Sequence, residues 1–279
     1  MQFTLISWNV LGHNYLTLPN HQHIVQKYPQ IIDWPRRCAL LCKELLIHNP
    51  DVICLQEVNE VMKNDLESML LEQGFAVSAY QSKGNGGVLV LHKTEKLDVL
   101  KNGHTLLATN SSAKKGGCAW AVLQCKQSQK QFLVSSVHLH WQHSIQQIVL
   151  LKNIWKEPVS VPMLLVGDFN IAYKTMLNKI VPEVNQLNIL EKPHAFSLFK
   201  HQSWTFCESL GWRSADHLLY SDSISLDKEQ SFIGDAQHSY KSDLVLKAED
   251  IIADTSKKNL PTDQYSSDHL PMIITLKIL

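Results

Sequence analysis

The chain has no charge excess: its 26 lysines and arginines balance 26 aspartates and glutamates over 279 residues. Proteins that grip long duplexes carry a basic surplus, because their affinity comes from neutralising phosphates. A balanced chain fits a small or short single-stranded ligand, unless a basic patch hides in the total. No stretch approaches the roughly 20 apolar residues of a membrane span. The N-terminus opens on strand-like Phe3-Thr4-Leu5-Ile6, without a charged leader and long apolar run. A cytoplasmic protein is expected. The six cysteines, at 38, 42, 54, 118, 125 and 207, lack the paired spacing of a zinc ribbon or a disulfide framework. They are expected to be buried free thiols in a reducing compartment. Repeats, low-complexity tracts and linkers are also missing. With 44% hydrophobic residues, 1–279 is expected to form one domain.

What is present is a set of polar segments at the ends of short apolar runs. They are Ser7-Trp8-Asn9-Val10, Leu55-Gln56-Glu57-Val58, Gly167-Asp168-Phe169-Asn170 and Ser267-Asp268-His269-Leu270. The apolar runs beside them, Phe3 to Trp8, Val52 to Leu55, Met163 to Val166 and Met272 to Ile278, read as buried strands. Strand ends are where a rigid sheet aims polar side chains into one cleft. Carboxylates, carboxamides and a histidine make an oxygen-rich inventory suited to Mg2+ or Mn2+. Glu57 is the first metal candidate, because a carboxylate directly after a buried strand is costly without a cation. Asn9 offers a neutral oxygen beside it, and Asp268 a third contact. Taken alone, Glu57 is a solvated strand-end acid, and Asp168 with Asn170 is an Asx-turn.

Helical periodicity marks three further segments. Asp33-Trp34-Pro35 is a helix start, with Trp34, Cys38, Leu41 and Leu45 on one face. A second helix runs from Asn59 to Gln73, with Met62, Leu66, Met69 and Leu70 inward, and Gly74 ends it. A third follows His138 and uses Ile145, Ile148, Val149 and Trp155. Gly86 to Leu91, Ala119 to Gln124 and Phe132 to Val137 read as strands. From Asp222 to Gln264 the expectation is loops, with one short strand at Asp243 to Leu246. His21 and His23 are expected to be solvated.

The four polar segments, with Ser136-Val137-His138-Leu139 and Gly211-Trp212-Arg213-Ser214-Ala215-Asp216-His217-Leu218-Leu219-Tyr220-Ser221, resemble the endonuclease/exonuclease/phosphatase superfamily in kind and order. The likeness runs from about Thr4 to Pro271. Four stretches resemble the deadenylase branch: Ser7 to Leu11 with Tyr15, Trp34-Pro35-Arg36-Arg37, Pro50 to Val58, and Gly86 to Leu97. The resemblance implies a four-layer α/β sandwich, DNase I-like, with two packed mixed sheets flanked by helices.

It also implies a reaction, hydrolysis of a phosphodiester with Mg2+ or Mn2+ held by Asn9, Glu57 and Asp268. Asp168 would orient or deprotonate the attacking water, and Asn170 would hold it or a phosphate oxygen. His269 would contact the phosphoryl group or act as base, with Asp216 fixing its tautomer. His138 would face the phosphate from the other side. His138 and His140 share a strand face and form a weaker transition-metal candidate. Trp141, and behind it Tyr15, Trp204 and Trp212, could stack a base. The branch's arginine after the His-Leu strand end is missing: residues 139 to 151 hold no lysine or arginine, and Gln146 and Gln147 stand there. The expected substrate is the 3′ end of single-stranded RNA. The alternatives are a small phosphorylated nucleotide, phosphoinositide or lipid head group, or a silent binding protein of the same fold. A monomer without a stable protein partner is expected.

Overall fold

The computed structural model describes residues 1–82, 84, 86–108, 115–154, 159–187, 189, 195–198, 206–208, 211–213, 215–234, 239–241 and 267–279. In chain order the strands are β1 (Gln2–Asn9), β2 (Val52–Gln56), β3 (Phe75–Ser82), β4 (Gly87–Lys93), β5 (Leu97–Ala108), β6 (Lys115–Cys125), β7 (Gln131–His138) and β8 (Met163–Asp168). They continue with β9 (Phe196–Leu198), β10 (Phe206–Glu208), β11 (Gly211–Arg213), β12 (Asp216–Ser221), β13 (Ile224–Gly234), β14 (Ser239–Lys241) and β15 (Met272–Ile278). One sheet has the order β14-β13-β15-β1-β2-β4-β3 and the other β5-β6-β7-β8-β12-β9, with β10 and β11 paired apart. Both sheets are mixed: β1 runs parallel to β2 and β7 parallel to β8.

Alternation along each strand builds the layers. In β1, Phe3 and Leu5 face the second sheet, while Ile6 and Trp8 face the helices. Val52, Cys54, Val88, Val90, Phe132, Val134, Leu164 and Val166 fill the space between the sheets. Phe3 and Phe132 stack across it with ring centroids 4.6 Å apart. Each such side chain taken fully out of water contributes about 1.5–3 kcal/mol. The helices in chain order are α1 (Gln22–Lys27), α2 (Trp34–Ile47), α3 (Glu60–Leu71), α4 (Ser144–Val149), α5 (Tyr173–Thr175) and α6 (Val181–Gln186). α2 and α3 cover the outer face of the first sheet, and the segments around α4 and α6 cover that of the second. This is the expected four-layer α/β sandwich.

The α2 start is as expected, with Asp33 at the N-cap and Pro35 in the first turn, and Cys38, Leu41, Cys42 and Leu45 are buried. In α3 the Asn59 side chain accepts the Met62 N–H at 2.9 Å, closing the first turn. Met62, Leu66 and Leu70 point inward. Met69, expected to do so, is 39% exposed at the edge of the stripe. The third helix is shorter than its periodicity suggests: α4 passes into a 3-10 turn at Leu150–Ile154. Of the described residues on its expected face, Ile148 is buried while Ile145 and Val149 stay exposed.

The described part of the stretch after Asp222 is strand, not loop. β13 pairs with β15 from Ile224 to Asp227 and again at Phe232 and Ile233. A register shift separates the two halves, and there Asp227 Oδ1 caps the Glu229 and Gln230 N–H groups. The charged middle that hides the alternation is a bulge. Trp155, Trp204, the Asp243–Leu246 strand and the Trp212 side chain lie outside the described residues and side chains.

Candidate active site

Strand direction brings the polar segments together. β1 and β2 end side by side, with Asn9 opposite Gln56. β7 and β8 do the same, with His138 opposite Asp168. β12 runs antiparallel to β8 and starts with Asp216 opposite Asp168. β15 runs antiparallel to β1 and starts with Met272 opposite Ser7, so Ser267 to Leu270 enter at the same end. Six chain segments therefore meet at one rim of the sandwich.

A buried polar bridge sets the spacing below that rim. Gln56 Nε2 donates to Ser136 Oγ on the opposite sheet at 3.0 Å, and Ser136 Oγ donates back to Leu55 O at 3.1 Å. Glu57 then turns out with φ +64 and Asn170 with φ +51, left-handed conformations in non-glycine residues. Gly167 has φ +139, and a Cβ there would run into Val137 O. Only glycine lets β7 and β8 close this tightly beneath Asp168.

Asn9 ties the two sheets' acids together. Its Nδ2 donates to Glu57 Oε1 at 3.1 Å and to Asp168 Oδ2 at 3.0 Å, and its Oδ1 accepts the Leu11 N–H. Carboxylates only accept, so the amide nitrogen must face them. The structure thus turns the Asn9 N–H groups to the acids, where an oxygen had been expected. Glu57 Oε2 also accepts the Gly12 N–H at 2.9 Å. Burial first, and then the charge of Asp268, push the Glu57 carboxyl above its ordinary range.

Asp168 is the hub. His138 Nε2 lies 3.6 Å from its Oδ2, and His269 Nε2 lies 3.9 Å from the same atom. Its Oδ1 accepts the Asn170 N–H at 2.9 Å, so the Asx-turn does form. The Asn170 side chain donates to Leu139 O and locks the adjacent strand end. Burial and the Asp216 charge hold the Asp168 carboxyl well above the usual range. His269 Nδ1 meets Asp216 Oδ2 at 2.8 Å, which leaves Nε2 facing the cleft. Burial alone would lower the imidazole, but Asp216, Asp268 and Asp168 together raise it strongly. Trp8 Nε1–H donates to His269 O, and Ser267 Oγ accepts the His269 N–H, fixing the backbone of the motif.

His21 is not solvated. It is 8% exposed, and its Nε2 lies 3.2 Å from Asp268 Oδ2. Sequence reasoning missed it because a loop histidine with no strand beside it has no periodic signal. Buried Arg37 donates to Val10 O and Leu11 O and braces the turn behind Asn9. Tyr15 packs on the Glu57 turn: a Cβ at Gly12 would touch both Glu57 O and the Tyr15 ring. Burial, Glu57 and Asp168 keep the Tyr15 hydroxyl protonated. Trp141 is 67% exposed just beyond His138, its ring stacked at 6.1 Å on His140. Gln147 is buried and accepts the His140 N–H at 2.7 Å, so it serves the loop, while Gln146 is exposed.

The acids fit a hard divalent cation. Asp268 Oδ1 is buried and has no hydrogen-bond partner among the described residues. After burial, the Asp268 charge is the next cause that pushes the Glu57 carboxyl up, so the two acids lie close enough to share one cation. Asp168, Asp216 and His269 also bring ligand atoms within 4.8 Å of one another. There, however, the 2.8 Å contact of His269 with Asp216 is a hydrogen bond, and the group reads better as a proton-holding relay.

Two mixed sheets packed face to face, with this set at their common rim, define a DNase I-like α/β sandwich. The profile of the Endonuclease/Exonuclease/phosphatase family matches residues 6–269, and the chain belongs to that family. Its relatives lie in the deadenylase branch. Carbon catabolite repressor protein 4 homolog 3 of Arabidopsis thaliana is 25% identical over 85% of this chain and 55% of its own length. Nocturnin of Rattus norvegicus is 24% identical over 96% of this chain and 64% of its own. The chain thus spans less than two thirds of either protein. ANGEL2, described as a 2′,3′-cyclic phosphatase, superposes with TM-score 0.76 at 17% identity, over 99% of this chain and 95% of that one. The human nocturnin catalytic domain does so with TM-score 0.63 at 18% identity, over 100% and 94%. At such identity the structural likeness speaks for the fold alone. No helix among the described residues is long and apolar enough to cross a membrane.

Proposed function

We propose that this phosphoesterase hydrolyses phosphodiester bonds at the 3′ end of single-stranded RNA, with Mg2+ or Mn2+ as cofactor. One observation carries the reading: Asn9, His138 and His269 converge on Asp168 Oδ2 at 3.0, 3.6 and 3.9 Å, from three separate segments. Glu57 and Asp268 hold the cation, with Asn9 alongside. A cation there neutralises phosphate charge and eases departure of the leaving oxygen.

The chain's own groups do the rest. His138 and His269 turn their Nε2 atoms to a phosphate oxygen from two sides. Asp216 keeps His269 Nδ1 occupied, so only Nε2 acts. Water lodges beside Asp168, whose carboxylate takes its proton as the oxygen attacks phosphorus, while His269, held protonated by its acidic neighbours, donates from Nε2 to the phosphate. Asn170 keeps the Leu139 strand end in place behind His138. Trp141 offers a stacking surface to the base.

A small phosphorylated nucleotide is the second reading. The net charge of zero and the absence of lysine and arginine from residues 139 to 151 favour it. The names of relatives suggest linkages for a substrate panel. They include ANGEL2 and human 2′,5′-phosphodiesterase 12, which is 26% identical over 64% of this chain. The panel comprises oligo(A), oligo(U), 2′,5′-linked oligo(A), RNA ending in a 2′,3′-cyclic phosphate, duplex DNA and phosphorylated small nucleotides, at two salt concentrations. Single-stranded RNA should react fastest, with weak preference for adenine. About two to four phosphate contacts should give a shallow salt slope. Turnover of the small nucleotide with none of the oligomers would transfer the assignment to the second reading.

A further inference from the structure

We propose that His21 is a positioning residue that fixes the Asp268 carboxylate with one oxygen turned to the cation site. The proposal rests on the reading of Asp268 as a cation ligand.

Pro19–His21 forms a single 3-10 turn with Pro19 at its start, and the His21 N–H donates to Leu18 O at 3.0 Å. That turn drives the imidazole inward. Its Nδ1 lies 3.1 Å from Tyr15 O. A carbonyl only accepts, so Nδ1 carries a hydrogen and the ring is anchored at that end. Its Nε2 lies 3.2 Å from Asp268 Oδ2. A carboxylate also only accepts, so Nε2 carries a hydrogen as well, and the ring held at both nitrogens lets Asp268 rotate only by breaking the second contact. The remaining oxygen, Oδ1, is buried and without a partner among the described residues. A carboxylate clamped through one oxygen and open at the other, beside Glu57, is what a ligand to a hard cation requires. Partners of this kind orient carboxylate ligands, and their loss weakens metal binding typically about 10- to 100-fold. The Ser267-Asp268-His269 motif gives no hint of it, because the partner comes from 247 residues away.

The test measures Mn2+ affinity of the metal-free protein by calorimetry, with thermal unfolding alongside. His21→Ala should weaken Mn2+ binding about 10- to 100-fold. His21→Gln, whose Nε2 reaches the position of the imidazole Nε2, should recover most of the loss. His21→Asn reaches only the Nδ1 position, keeps the Tyr15 contact alone and should not recover it. Should His21→Ala fail to fold, the Gln and Asn variants decide the matter at matched unfolding temperature. Asp268→Asn is the control. It should weaken Mn2+ by itself, and adding His21→Ala should then change little. Unchanged affinity in His21→Ala, or equal recovery by Gln and Asn, overturns the positioning role and leaves a pin for the loop. Unchanged affinity in Asp268→Asn overturns the ligand reading, and the proposal with it.

Discussion

Asp216 and His269 share a 2.8 Å hydrogen bond although 53 residues separate them. Asp216 starts β12 and His269 precedes β15, so each comes from a different sheet. The bond crosses the sandwich at its rim and turns the other imidazole nitrogen, Nε2, toward Asp168, 3.9 Å from its Oδ2. Asp216→Asn should therefore reduce turnover about 10- to 100-fold, by loosening a ring that it does not replace. His269→Ala should cost distinctly more, since it removes the group that faces the phosphate. Steady-state kinetics of the two variants make the comparison, and a neutral Asp216→Asn would show the pair to be structural.

Glu57→Gln should abolish activity, with a loss on the order of 1000-fold or more, because a cation ligand acts on the charge of the transition state. Stability in the metal-free protein should not fall. The amide removes a charge that Asp268 repels, which offsets the acceptor lost to Asn9 Nδ2 or the Gly12 N–H when one carboxylate oxygen becomes NH2. Full turnover of the wild type in EDTA would end the metal-dependent reading altogether.

Gly167→Ala should destabilise the protein by roughly 2–4 kcal/mol, through a backbone conformation foreign to alanine and a clash with Val137 O. The damage should extend to catalysis, since Gly167 precedes Asp168 and lies opposite Val137. Denaturant unfolding at 25 °C gives the first quantity, and kcat gives the second.

Trp141→Ala should leave unfolding unchanged, because the side chain is 67% exposed. If the ring stacks on a base, KM for RNA oligomers should rise roughly 5- to 100-fold, with kcat nearly constant. An unaltered KM would return Trp141 to the surface.

The strands and the polar set were legible in the sequence for one reason. Short apolar runs ending in Asn, Glu, Asp or His have few structural explanations, so Asn9, Glu57, His138, Asp168 and Asp268 each declare a strand end. Periodicity likewise placed α2 and the inward face of α3, apart from Met69. It failed where the signal was broken, as in β13, whose charged bulge interrupts the alternation. Pairing and approach belonged to the tertiary structure alone. The parallel joins of β1 to β2 and β7 to β8, with antiparallel β12 and β15, brought six segments to one rim, and the Gln56–Ser136 bridge fixed the gap between the sheets. Folding turned the Asn9 amide toward two acids and carried His21 to Asp268. A sequence states which groups exist and which local shape they prefer. Which of them meet depends on strand order and on the burial of partners hundreds of residues apart, and neither leaves a periodic trace.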